Sequence, residues 1–170
     1  MAEPFPVKGV ANAFLRRSFD DQQLVTHMKL QKLVYLAHGY HLAKTGNPLV
    51  CEGFEAWPYG PVSSELYNEF KCFKGAPINQ EATEIEVSCG DDEDTYVEVP
   101  VPVRAADHDP DVKKVIDFVW KVYGSWKATE LSDLTHKPGW AWEKARKINR
   151  TSQISNDDIK KDFLPFIKTK

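Results

Sequence analysis

The chain has 170 residues, 42% of them apolar and 28% charged, with a formal net charge of −3 and a pI near 6.0. That is enough chain for one domain with a sizeable core, and its mild acidity argues against a nucleic-acid binder, which normally carries a basic face. No uninterrupted apolar run approaches the roughly 20 residues needed to span a bilayer. The first residues, MAEPFPVKGVANAF, lack the basic-then-apolar order of a secretory signal. Cys51, Cys72 and Cys89 are scattered with no CxxC among them. An odd count without a disulfide framework suits a reducing compartment, so the expected location is the cytoplasm.

Val10, Phe14 and Leu15 recur at helical spacing and predict a first helix over residues 5–18. Met28, Leu30, Leu33, Val34, Ala37, Tyr40 and His41 form a broad apolar stripe on a second helix, residues 27–45. Thr26 is its expected N-cap, Gly46 its left-handed end, and Asn47-Pro48 prevents continuation. Residues 49–57 read as a turn and a brief strand. Pro61 fits the first position of a third helix carrying Val62, Leu66, Phe70 and Phe73, with Gly75 as its stop. Alternation around Ile85, Val87 and Tyr96 to Val99 predicts a β-hairpin over residues 84–101. The acidic run Asp91, Asp92, Glu93 and Asp94 keeps its tip in water. Asp109-Pro110 opens a helix with Val112, Val115, Ile116, Val119, Trp120 and Tyr123 on its buried face, closed by Gly124. Leu131 and Leu134 mark a short helix, and residues 140–147 add another turn or two. Ser155 and Asp158 resemble a capping box for a last helix ending near Phe163, with Ile154 and Ile159 as a staple. The expected fold class is mainly α (α+β): a single domain over residues 1–170, with about six helices and a small antiparallel hairpin.

Chemical motifs are sparse. His38 and His41 are three apart on one helix, a spacing zinc can use, yet neither HEXXH nor CxxC supplies further ligands. The acidic run lacks the spaced ligands and central glycine of a calcium loop. No metal or cofactor is expected. Three cysteines and five histidines leave a Cys/His hydrolase as one alternative, although no nucleophile turn surrounds any of them. Lys144, Arg146, Lys147 and Arg150 leave a DNA-binding autoregulator as another, diluted by neighbouring acids. The least ordinary stretch is Trp57-Pro58-Tyr59-Gly60-Pro61. Its prolines should hold Trp57 and Gly60 extended. The two rings then either plug the core or form a preorganised binding platform.

Three blocks carry a family resemblance: LQKLVYLAHGYHLAKTGNPL, then FEAWPYGPVSSELYNEFK, then LSDLTHKPGWAW over residues 131–142. Together, and in this order, they resemble the Panacea domain, also called the SocA-like antitoxin domain, across residues 28–142. The resemblance implies a non-enzymatic, helix-rich, bacterial or phage-associated antitoxin. It would neutralise a cognate toxin, encoded by an adjacent gene, through direct protein–protein contact. It also brings in a protease as a second candidate partner, as in SocA, though no residue here carries that mechanism; nucleic acid and membrane are not expected partners. The motif residues it points to are Trp57, Tyr59, Gly60 and Pro61, with Leu134, Thr135, His136 and Trp140. Most are expected to build the scaffold while variable neighbours choose the partner. The hairpin at 84–101 is longer than the resemblance leads one to expect and reads as a surface insertion.

Overall fold

The computed structural model describes residues 3–91 and 95–168. Seven α-helices are seen among them: α1 (Val7–Asp20), α2 (His27–Thr45), α3 (Ser64–Phe70), α4 (Pro110–Tyr123), α5 (Ala128–Thr135), α6 (Ala141–Ile148) and α7 (Asn156–Phe163). Two antiparallel pairs accompany them. β1 (Glu55–Trp57) pairs with β2 (Gly60–Val62), and β3 (Thr83–Cys89) pairs with β4 (Tyr96–Pro102). The fold is mainly helical with a β-hairpin, as expected.

α2 is the axis. It begins at Thr26, whose hydroxyl accepts from Lys29 N, and ends at Gly46 with φ 80°. The apolar stripe expected of it turns out to be too modest a description. Fifteen of its 19 residues are buried, because α1, α3, α4, α5, α7 and β2 all pack on it. A helix covered on every side has no solvent stripe to show. α7 crosses so closely at Gly39 that a Cβ there would overlap the Phe163 ring. Phe163 in turn meets Tyr40 and Trp140 at ring-centroid distances of 5.1 and 5.7 Å. Arg17 ties α1 to the α4 side of the bundle through Asp107 and Asp117, at 2.7 and 2.6 Å.

Several local expectations need correction. Pro61 does not open α3. It lies in β2, and Ser63 is the cap, accepting from Leu66 N at 3.4 Å. A proline tolerates a strand edge as readily as a first helical turn. α3 stops at Phe70 and a 3₁₀ turn follows to Phe73, ended by Lys74 at φ 54° and not by Gly75. Ser155 occupies the cap position of α7 but makes no capping bond with its side chain. Asp158 is directed instead to Lys144 and Lys161, each at 3.6 Å. The hairpin tip, Asp92 to Asp94, lies outside the described residues.

The hairpin is rooted on the helices by Asn12, with Thr83 tied beside it to Lys8 and Glu69. Asn12 is fully buried on α1, donates to Ala82 O and Val103 O at 2.9 and 2.8 Å, and accepts from Ala82 N at 2.7 Å. Beyond that root the strands leave the body. Asn12→Ala would strand the Ala82 N–H and reduce the acceptors' partners. Urea unfolding should show a loss of about 2–4 kcal/mol, with the fastest gain in amide exchange at residues 83–101.

Candidate partner-binding site

The sequence around Trp57 folds as a tight hairpin with Pro58 and Tyr59 at its turn, pairing Glu55 with Val62, Ala56 with Pro61 and Trp57 with Gly60. Gly60 does not take the ordinary extended backbone of negative φ that its flanking proline suggested. It has φ 111°, a conformation open to glycine. A second constraint acts at the same place: a Cβ on Gly60 would sit 2.6 Å from Lys32 Cε and 2.9 Å from Thr135 Oγ1.

Lys32 is the centre of the site. It is 1% exposed, in the middle of α2, and its ammonium donates to Pro61 O at 3.0 Å. Burial pushes its pKa down to about 7, and among the described residues no carboxylate offsets that. The same burial, reinforced by the Lys32 charge, holds His27 down to about 4 and lowers His136. Three further side chains hold carbonyls of the turn and of the strand leading into it. Trp142 Nε1 donates to Trp57 O at 2.8 Å, Arg146 Nη1 to Ala56 O at 3.0 Å, and Ser132 Oγ to Tyr59 O. Gln31 fixes the exit by pairing with both backbone groups of Ser63, at 2.8 and 3.0 Å. The turn's backbone is thus gripped from α2, α5 and α6 at once.

The expected site residues divide. Gly60 and Pro61 are buried, and Thr135 is buried with its hydroxyl donating to Ser132 O at 2.7 Å. His136 stacks on Trp142 with centroids 3.9 Å apart, and its buried Nε2 has no hydrogen-bond partner among the described residues. Leu134 packs against the core. Trp140 does not join them: it sits over Phe163 and Phe166, under the Lys137 ammonium 5.0 Å from its ring. Trp57 is half-buried, with its indole N–H on Glu55 at 2.6 Å and its ring 4.8 Å from Tyr67. Tyr59 is 73% exposed. Beside these rings lies a groove of about 200 Å³, walled by Trp57, Tyr59 and Tyr67 and floored by His27, Gln31 and Lys32. Lys32 and Ser132 were not singled out from the sequence, Trp142 stood there only as the end of the third motif block, and Arg146 only as a candidate phosphate contact. The available signal was a Gln-Lys pair flanked on both sides by apolar helix residues.

The other chemical candidates find ordinary partners. His38 is buried, accepts at Nδ1 from Leu49 N and Val50 N at 3.3 and 3.4 Å, and meets Asn156 Oδ1 at 2.8 Å through Nε2. Burial holds its pKa down to about 4, so it is a neutral structural link between α2, residues 49–50 and α7. Among the described residues no three His, Cys, Asp or Glu side chains gather as metal ligands. All three cysteines are exposed, and burial with Glu52 raises the Cys51 thiol, the reverse of an activated nucleophile. Lys144 and Lys147 face Asp158 and Glu143, while Arg146 serves the turn.

Lys32 makes stability depend on pH in a defined way. Its folded pKa lies below its unfolded value of 10.5. Between about pH 7 and 10.5 the unfolded chain therefore holds a proton that the folded chain has released, and stability rises with pH. Below about pH 7 the burial penalty is present in full. Against Lys32→Met, the wild type should gain up to ~1.4 kcal/mol per pH unit across this window in urea titrations. Gly60→Ala should lose about 3 kcal/mol or more at any pH, because strain and overlap act together.

The chain matches the family described as "Antitoxin SocA-like, Panacea domain" over residues 30–143, a span that begins on α2 just before Lys32 and ends on α6 just past Trp142. It is also similar to the protein named Antitoxin SocA from Caulobacter vibrioides (strain NA1000 / CB15N), with 30% identity over 136 residues, 80% of this chain and 68% of that protein. No solved structure matches the chain. Among the described residues no helix is long and apolar enough to cross a membrane. With its matched span enclosing the gripped turn and nearly every side chain that grips it, the chain belongs to the SocA-like antitoxin family, the Panacea domain.

Proposed function

We propose that this protein is an antitoxin that neutralises the toxin encoded by an adjacent gene, by binding it directly and covering its active surface. The family and the name of the Caulobacter relative support the antitoxin role and favour a non-enzymatic one. The observation that carries direct binding is Tyr59. The residue is 73% exposed while its backbone is held by Ser132 and its neighbours by Lys32, Trp142 and Arg146. A large amphipathic ring on a backbone that has no freedom left to lose is the composition of a binding hot spot. The groove formed with Trp57 and Tyr67 gives a partner side chain somewhere to enter. The buried motif residues are scaffold; Tyr59 is the motif residue offered to the toxin. Exposed free thiols suit action in the reducing cytoplasm.

The first test is growth rescue: the neighbouring gene alone should kill, and co-expression of this protein should restore colonies. Tyr59→Ala should fold within about 0.5 kcal/mol of wild type yet weaken toxin binding by roughly 30-fold or more, with a matching loss of rescue. Trp57→Ala, by contrast, should lose stability first, since its ring and N–H are tied into the hairpin and Tyr67. Toxicity unaffected by wild-type protein would overturn the reading.

A further inference from the structure

We propose that the outer edge of β3 is a strand-addition site for a basic, extended segment of the toxin; this rests on the antitoxin reading above. Among the described residues, β3 and β4 form a sheet of two strands with no third strand and no helix covering either face along most of its length. Ile85, Val87 and Tyr96 are 60%, 64% and 74% exposed. A lone two-stranded sheet is marginal in water, so apolar strands held out in this way are unfinished structure.

The two edges are not equivalent. Val103 N donates to Ala82 O and Gly90 N to Thr95 O, so these pairs are hydrogen-bonded, and bonding alternates between them. Glu84, Glu86 and Ser88 therefore exchange bonds with Val101, Val99 and Val97. Thr83, Ile85, Val87 and Cys89 turn their backbone groups away from β4. Thr83 confirms this, since its N–H reaches Glu69 at 2.8 Å and its carbonyl Lys8 at 3.1 Å, both outside the sheet. On β4 the outward positions include Pro100 and Pro102, which have no N–H and blunt that edge. The edge left open is Ile85, Val87 and Cys89.

Charge selects the occupant. The chain's net charge of −3 divides into −8 between Lys74 and Arg104 and +5 elsewhere, and that stretch contains no Lys, Arg or His. Glu84 and Glu86 lie within β3, and Glu98 lies opposite Val87. A second copy pairing here would align acids with acids, whereas a partner strand mixing apolar residues with Lys or Arg satisfies both the edge and the charge.

The test uses the full-length protein and the purified product of the adjacent gene. Val87→Pro removes an outward donor, by the device β4 already carries, and leaves the ladder intact. It should keep the melting curve of the wild type and weaken binding at least tenfold in calorimetry. Glu84→Lys with Glu86→Lys should weaken it by a similar factor and flatten its dependence on salt. Wild-type binding with both variants unaffected would sink the strand-addition site while leaving the antitoxin reading standing. No binding by wild-type protein would remove both. A wild-type dimer in sedimentation that Val87→Pro dissolves would assign the edge to a second copy and overturn the proposal.

Discussion

A primary amine buried without a counter-ion is the constraint around which the rest of this molecule is arranged. Among the described residues Lys32 has no carboxylate to lean on, only the carbonyl of Pro61. Removing an ammonium from water is tolerable only where its protons find acceptors and its stem finds packing. The turn at residues 57–61 is shaped to provide both. Gly60 is a glycine because the Lys32 stem and the Thr135 hydroxyl occupy the volume a side chain would need. In return, the turn's own carbonyls, which would otherwise be orphaned against a protein surface, are met by Trp142, Arg146 and Ser132. The lysine and the turn each supply what the other lacks, which explains why sequence blocks so far apart form one structural unit.

The same logic separates side chains that build the turn from the one ring it leaves exposed. Trp142 contributes its N–H inward and its ring to His136, so it is spent on the scaffold. Tyr59 contributes only its carbonyl, leaving the ring to solvent. In the Trp-Pro-Tyr-Gly-Pro stretch the backbone is held by the core, while Pro58 and the Tyr59 ring stand in solvent.

How much of this was legible depends on how local each cause is. α2 was read to the residue because Thr26 and Gly46 act on their own neighbours. Asp109, accepting from Asp111 N and Val112 N, was legible for the same reason. Pro61 misled because its fixed φ suits two different elements, and what decides between them is Gln31, 32 residues away, holding Ser63 on both sides. Trp140 and Trp142 could not be told apart by motif alone. Two residues at a helix start point in nearly opposite directions, so one reaches Phe163 and the other Trp57. Lys32 was passed over because lysine is the residue least expected inside.

Asn12 gives the hairpin a property of a different kind. By closing the chain at Ala82 and Val103, with Thr83 held beside it by Lys8 and Glu69, it makes the bundle indifferent to what lies further out along the strands. Residues can be added in matched pairs beyond that clasp, or exchanged along the strands, without any change in how α1 meets α2. Such a segment is free to drift in length and character while the body stays under the strict demands of its core. A lineage facing a succession of unfamiliar adversaries could therefore retool this arm repeatedly and keep one inherited body.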